Sequence, residues 1–284
     1  LPSRKSLNGK QIKLITTIHD LNFVHRPHEI PKIVGNYYRK VCKRSALDAD
    51  KILTVSNTTK QDIVSTYSID EKDVGITYNA PQEGFSPLTD EQIKVAQRKF
   101  GKGNPYFCFL GAFTPRKNLK TLVQAFNKWC LLNPGNHHRL VIGGRPLHKD
   151  EELNTALRNG SNRIILPGFI PRNELNNFFG GASAFVFPSY FEGFGIPLIE
   201  AMASNCLVLS SNSSCMPEIA DDAAHYSRPE NIEDWILALN FAVQDIQKVD
   251  SLKRKGLERA KHFKWSTSAD QVWKSFKEIL PDEF

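Results

Sequence analysis

The sequence predicts an α/β protein built on doubly wound parallel sheets. Three observations carry the prediction. Short apolar runs rich in β-branched and aromatic residues alternate with helical patterns. Polar or glycine-bearing turns follow the strands, where ligands of parallel sheets bind. A proline and glycine-rich break, Asn79-Ala80-Pro81-Gln82-Glu83-Gly84-Phe85-Ser86-Pro87, divides the alternation into two series and has the composition of an interdomain hinge.

In the first series, residues 12–18 read as a strand ending at His19-Asp20. Residues 36–49 read as a helix carrying Tyr37, Tyr38, Val41 and Leu47 among basic residues, and 51–55 as a second strand. Ser56-Asn57-Thr58-Thr59 is suited to cap the helix that runs on through Val64. The second series opens with a helix over 90–100 and a strand at 106–110. A helix at 118–132, a strand at 140–142 ending at Gly143-Gly144, a helix at 151–158 and a strand at 163–166 follow. A short helix at 174–179, a buried strand at 184–188, a helix from Pro197 and a strand at 206–209 complete the regular part. An amphipathic helix through Val272, Trp273, Phe276, Ile279 and Leu280 closes the chain. The expected domains are 1–87 and 88–266, with the helix 267–284 packing back on the first.

The run Pro188-Ser189-Tyr190-Phe191-Glu192-Gly193-Phe194-Gly195-Ile196-Pro197-Leu198-Ile199-Glu200 joins a strand to a helix through Gly-x-Gly. Pro197 suits the first helical position, and glycines let backbone approach a ligand. Free N–H groups at a helix start favour an anion. Glu200, expected in the first helical turn, and Glu192, at the strand exit, can accept hydrogen bonds from the hydroxyls of a sugar or ribose. A second strand-to-helix loop, Gly111-Ala112-Phe113-Thr114-Pro115-Arg116-Lys117-Asn118-Leu119, offers two cations that can stabilise a departing diphosphate.

The Glu-x7-Glu spacing inside E-G-F-G-x-P-x-x-E-A resembles the donor site of retaining family 4 glycosyltransferases (glycosyl transferases group 1) of the GT-B fold. The resemblance covers nearly the whole chain and implies two Rossmann-like domains, the N-terminal one truncated to about its second half. That domain is expected to be trimmed, or completed by another chain.

The resemblance also implies roles. Glu192 holds the sugar and Glu200 the ribose, Arg116 and Lys117 neutralise the diphosphate, and the Gly193, Phe194 and Gly195 amides assist. Pro167-Gly168-Phe169-Ile170 resembles the loop that receives the nucleobase, which assigns Phe169 and Ile170 to nucleotide binding; Phe169 is equally readable as core. Thr17-Ile18-His19-Asp20-Leu21 resembles the strand end that places a histidine near the transferred sugar, so His19 joins the catalytic candidates, and Asp20 either contacts the acceptor or orders the turn. Ser56-Asn57-Thr58 resembles a V-S-x-x-S/T run that capping explains. Arg145 is a further candidate cation or a surface residue. Many relatives carry an additional arginine where this chain has Ala112 or Phe113.

The implied activity is metal-independent, retaining transfer of a hexose from a nucleoside diphosphate sugar to a saccharide or lipid-linked acceptor, in polysaccharide or glycolipid assembly. The Thr-Pro-Arg-Lys-Asn-Leu and Thr-Ile-His-Asp-Leu runs look most like bacterial mannosyltransferases, so GDP-mannose is the donor expected first. The alternative is a nucleotide-sugar-binding subunit or fragment, inactive until its N-terminal domain is completed. No cofactor and no metal are expected. Asp48-Ala49-Asp50 matches an Asp-x-Asp metal motif in the wrong fold context, and His25 and His28 lack further ligands at metal spacing.

Composition narrows the partners. With 40% hydrophobic and 24% charged residues the chain is globular. The five cysteines are odd in number and without C-x2-C spacing, against both a disulfide framework and a zinc site. No apolar run reaches the ~18 residues of a membrane span, and the first residues lack a signal-peptide core. The formal charge of +7 attracts phosphorylated substrates or anionic lipid, and without a basic run interleaved with aromatics nucleic acid is not expected. The expected address is the cytoplasm, with the inner face of the membrane open through a peripheral contact of Arg39, Lys40, Lys43 and Arg44. An oligomer is compatible with the sequence.

Overall fold

The computed structural model describes residues 6, 7, 10–147, 150–158, 160 and 162–280. The last four residues of the expected C-terminal helix, 281–284, lie outside the described residues. The chain forms two compact units: the smaller takes the described residues through Ala80, Glu192–Phe194 and those from Phe263 onward, and the larger takes Pro81–Phe191 and Gly195–His262.

In the smaller unit a short antiparallel pair, β1 (Ser6–Leu7) and β2 (Lys10–Gln11), precedes a parallel three-stranded sheet. Its strands β3 (Ile15–Ile18), β4 (Lys51–Thr54) and β5 (Val74–Ile76) lie in sequence order. Helices Lys32–Asp48 and Asn57–Tyr67 make the crossovers that parallel neighbours require. Ile18, Leu21, Ile52, Ile63, Tyr67 and Val74 fill the core, and the helix Trp265–Ile279 packs against β4 and β5. Strand β3 is shorter than the expected 12–18 because the Leu14 N–H donates to the Asp50 carboxylate (2.9 Å) instead of to a strand neighbour. The first long helix starts at Lys32 rather than residue 36, directly after Pro31.

The larger unit carries β6 (Tyr106–Leu110), β7 (Arg139–Gly143), β8 (Ile164–Gly168), β9 (Ala184–Phe187), β10 (Val208–Ser211) and β11 (His225–Ser227). They form one parallel sheet in the order β11-β10-β9-β6-β7-β8. Every residue of β9 is buried, which is why it reads as a continuous apolar run rather than an alternating one. Phe107, Phe126, Trp129 and Trp235 are fully buried in the core. The chain direction across the sheet reverses between β6 and β9, which makes this pair the topological switch point of the sheet.

Boundaries in the larger unit differ from the sequence reading as well. The strand expected at 206–209 pairs as Val208–Ser211. The short helix expected at 174–179 is Leu175–Gly180, after a single turn at Arg172–Glu174. The helix expected from Pro197 starts at Ile196, so Glu200 stands beyond the first turn, which has no acidic residue.

Candidate functional site

At the carboxyl ends of β6, β7 and β8 the larger unit holds a cavity of about 470 Å³. Its floor is backbone: the Gly111 N–H donates to Gly143 O (3.1 Å), Phe113 N–H to Arg145 O (3.0 Å) and Gly144 N–H to Gly168 O (2.8 Å). These bonds zip the three strand-end loops together. At Gly144 a Cβ would occupy the space of the Gly111 carbonyl, so only glycine permits the approach.

The walls are mostly apolar. Leu110, Leu147, Ile170 and Leu175 face the cavity together with Phe169, which is 64% exposed and carries the Arg145 guanidinium 5.8 Å from its ring centre. At one side stands Glu200, only 6% exposed, on the helix Ile196–Ala203. Burial pushes its carboxyl up to about 7, against the pull of the nearby Arg172 guanidinium. Glu200, Phe169 and Ile170 therefore line one cavity. Arg172 and Gln82 line it too and were not legible: the first follows an unremarkable proline, and the second belongs to the presumed hinge.

The loop after β6 makes one tight turn over Pro115–Lys117 and then places Asn118 in the left-handed region, φ 54°. Asn118 is buried and its side-chain amide donates to Pro188 O (3.1 Å) and Pro229 O (2.6 Å). The Tyr190 N–H donates to Arg116 O (2.9 Å), and Arg116 Nη1 donates to Phe191 O (2.6 Å). Lys117 lies apart, its ammonium 4.8 Å from the Phe187 ring centre and its stem beside Gly111.

Glu192, Gly193, Phe194 and His19 belong to the smaller unit. Glu192 is buried and His19 exposed. A Cβ on Gly193 would strike the His19 backbone carbonyl, which explains glycine between Glu192 and Phe194. The Thr59 hydroxyl donates to Gly193 O (3.4 Å) and accepts from Ser56 Oγ (2.9 Å), while Ser56 caps its helix through the Thr59 N–H. Phe194 packs in an aromatic trio with Tyr78 and Phe263, at 6.2 and 5.4 Å, so its side chain is an anchor and only its backbone can meet a ligand. Asp20 accepts from the Asn22 N–H (2.9 Å) and orders its turn.

The remaining polar candidates have structural partners. His25 pairs with Asp62 (2.7 Å), Asp50 with Lys13 (3.4 Å) and Asp48 with Arg44 (3.4 Å). Among the described residues no cluster of three or more His, Cys, Asp or Glu side chains could hold a metal, and no helix is long and apolar enough to cross a membrane. All five cysteines are free thiols.

This combination of parallel sheets, strand-end cavity and connecting loops matches known proteins. Residues 90–259 match the family model described as glycosyl transferases group 1, and residues 2–80 the model described as Glycosyltransferase Family 4. The first match spans more than half of the chain, and the protein belongs to the glycosyl transferases group 1 family of glycosyltransferases.

The O-antigen chain mannosyltransferase B of Escherichia coli is 27% identical over 93% of this chain and 70% of its own length. The O-antigen chain mannosyltransferase RfbU of Salmonella typhimurium is 27% identical over 84% of this chain and 62% of its own. Among solved structures, Anabaena Alr3699/HepE in complex with UDP and glucose superposes with a TM-score of 0.80 at 16% identity, over 93% of this chain and 71% of that one. The fold is α/β with parallel sheets, as in the GT-B glycosyltransferases.

Proposed function

We propose that the protein transfers a hexose from a nucleoside diphosphate sugar to a saccharide or lipid-linked acceptor, with retention at the anomeric carbon and without a metal. The observation that carries this reading is the cavity of the larger unit, where a buried carboxylate stands among apolar walls and an exposed aromatic ring. Such a lining suits a nucleoside: the base meets Phe169 and Ile170, and Glu200 accepts from ribose hydroxyls. Lys117 supplies positive charge for the diphosphate, and the Gly193, Phe194 and Gly195 amides add donors. Glu192 holds the sugar, and His19 contacts a sugar hydroxyl or orients the acceptor. The leaving phosphate takes the acceptor proton on the face it departs from, so no protein nucleophile is required.

GDP-mannose is the donor this reading favours, on the names of the two mannosyltransferase relatives. UDP-glucose is the competitor, because HepE is also solved in complex with UDP-glucose. A thermal-shift titration with GDP-mannose, UDP-glucose, GDP and UDP in the presence of a chelator tests it. A ligand at 100 times its dissociation constant adds about 2.7 kcal/mol of stability. The expected result is stabilisation by the guanine pair; stabilisation by the uracil pair alone changes the donor, and no response to any of the four sinks the reading.

The same reading includes a peripheral contact between the helix Lys32–Asp48 and an anionic membrane surface. Ile33, Tyr37 and Leu47 are exposed on it together with Lys40, Lys43 and Arg44, the mixture of apolar and cationic side chains that interfacial helices present. Arg39 is turned away, donating to Phe23 O (3.0 Å) and Asn36 (2.6 Å). Sedimentation with phosphatidylglycerol vesicles is expected to capture the protein, less so in high salt and less so for Lys40→Glu/Arg44→Glu. Capture indifferent to both changes would argue against this contact.

A further inference from the structure

We propose that Arg116 is a positioning residue, whose guanidinium holds the turn that delivers Glu192 rather than clamping the diphosphate. The inference rests on the nucleotide-sugar reading above, and three observations lead to it.

The first is the course of the two loops. The segment after β9 is fastened to the loop after β6 at Pro188 by the Asn118 side chain, at Tyr190 by the Arg116 carbonyl and at Phe191 by Arg116 Nη1. The fastening runs along the segment and ends at the residue before Glu192. Arg116 contributes both of its last two bonds, one from the backbone and one from the side chain.

The second is the bond at Phe191. Its donor is a cationic guanidinium N–H, which makes it a charge-assisted hydrogen bond, 2.6 Å from Nη1 to the carbonyl oxygen. A guanidinium is planar, so one such bond constrains the orientation of its other donors. It fixes a backbone carbonyl one peptide away from the carboxylate that the reading assigns to the sugar.

The third is the divergence of the two cations. Lys117 lies over the Phe187 ring with its stem beside Gly111, and Gly111 lines the cavity, whereas the Arg116 bond leads to Phe191. Adjacent in sequence, the two side chains leave a single tight turn for different neighbours. Of the two, Lys117 is thus the one whose stem lies beside a cavity-lining residue, Gly111, and Arg116 acts on the donor sugar through Glu192.

The test separates affinity for the nucleotide from the extra affinity conferred by the sugar. Calorimetric titrations of GDP against GDP-mannose, and of UDP against UDP-glucose, are made on the unmodified protein, Lys117→Ala, Glu192→Gln, Arg116→Ala and Arg116→Met. The Met variant keeps the stem and removes only the donors, so it is read if Arg116→Ala does not fold. Lys117→Ala is expected to weaken nucleotide and nucleotide sugar in parallel, by about tenfold or more. Both Arg116 variants should hold nucleotide affinity within about threefold, yet erase the gain due to the sugar, as Glu192→Gln does. The Arg116→Met/Glu192→Gln double variant should be no worse than either single one, because the two residues act on one interaction. Arg116→Lys, which restores a donor, should recover part of the gain. Loss of free nucleotide affinity in Arg116→Met equal to that in Lys117→Ala would overturn the proposal and return Arg116 to the diphosphate. Additive effects in the double variant would also overturn it. Absence of binding by the unmodified protein to all four ligands would instead strike the nucleotide-sugar reading itself.

Discussion

Glu200 shows how one residue's surroundings set its chemistry. Its carboxyl is pushed from an ordinary 4.5 to about 7 by burial, with Arg172 opposing. Between those two values the folded protein keeps a proton that the unfolded chain gives up. Stability therefore falls as pH rises through that window, and the cost, about 3 kcal/mol, is complete above pH 7. Glu200→Gln is expected to lessen this fall, so that urea unfolding at pH 5 and pH 8 shows a smaller pH dependence than in the unmodified protein. If the ionised carboxylate accepts ribose hydroxyls, nucleotide binding releases a proton below pH 7, and calorimetry in buffers of different ionisation enthalpy reads it directly. At Gly193 the constraint is steric instead. Gly193→Ala forces the loop away from the His19 carbonyl, and a loss of sugar-dependent affinity or turnover of about 100-fold is the expected outcome.

At the scale of elements, Asn118 joins the tight turn to the helix Leu119–Leu132. It combines a left-handed backbone with two buried side-chain hydrogen bonds, to Pro188 and Pro229. Asn118→Gly removes the bonds and keeps the conformation, at a cost of about 1–3 kcal/mol in chemical denaturation. Asn118→Ala adds the left-handed penalty of about 1–2 kcal/mol, so it is expected to be the less stable of the two. Equal stabilities would show that the backbone conformation relaxes. The helices and long strands were legible because their apolar periodicity is local. The short strands Val74–Ile76 and His225–Ser227, with three residues each, were not, since so few residues carry no period and their identity comes from the neighbour they pair with.

Across the whole molecule the two units differ in how much core they enclose. The smaller has three parallel strands and a modest buried cluster, while the larger packs six strands around several fully buried aromatics. Stability within a chain follows buried contact, so amides of β3, β4 and β5 are expected to exchange with solvent faster than those of β6, β7 and β9. Equal protection in native-state hydrogen exchange would mean that both units open only together.

The sequence by itself determined the fold class, because the alternation of apolar strands with amphipathic helices leaves a parallel sheet as the arrangement that buries both. It also marked the turns, whose prolines and glycines act through local backbone geometry, and it carried the spacing by which the family was first suggested. Tertiary structure alone decided what meets at a distance. It joined Gln82, Arg172, Phe169 and Glu200 around one cavity, gave Phe194 to an aromatic trio, and sent Arg116 and Lys117 to different neighbours. None of these follows from spacing, since residues far apart along the chain meet only where strand order and loop contacts bring them, and adjacent ones can point different ways.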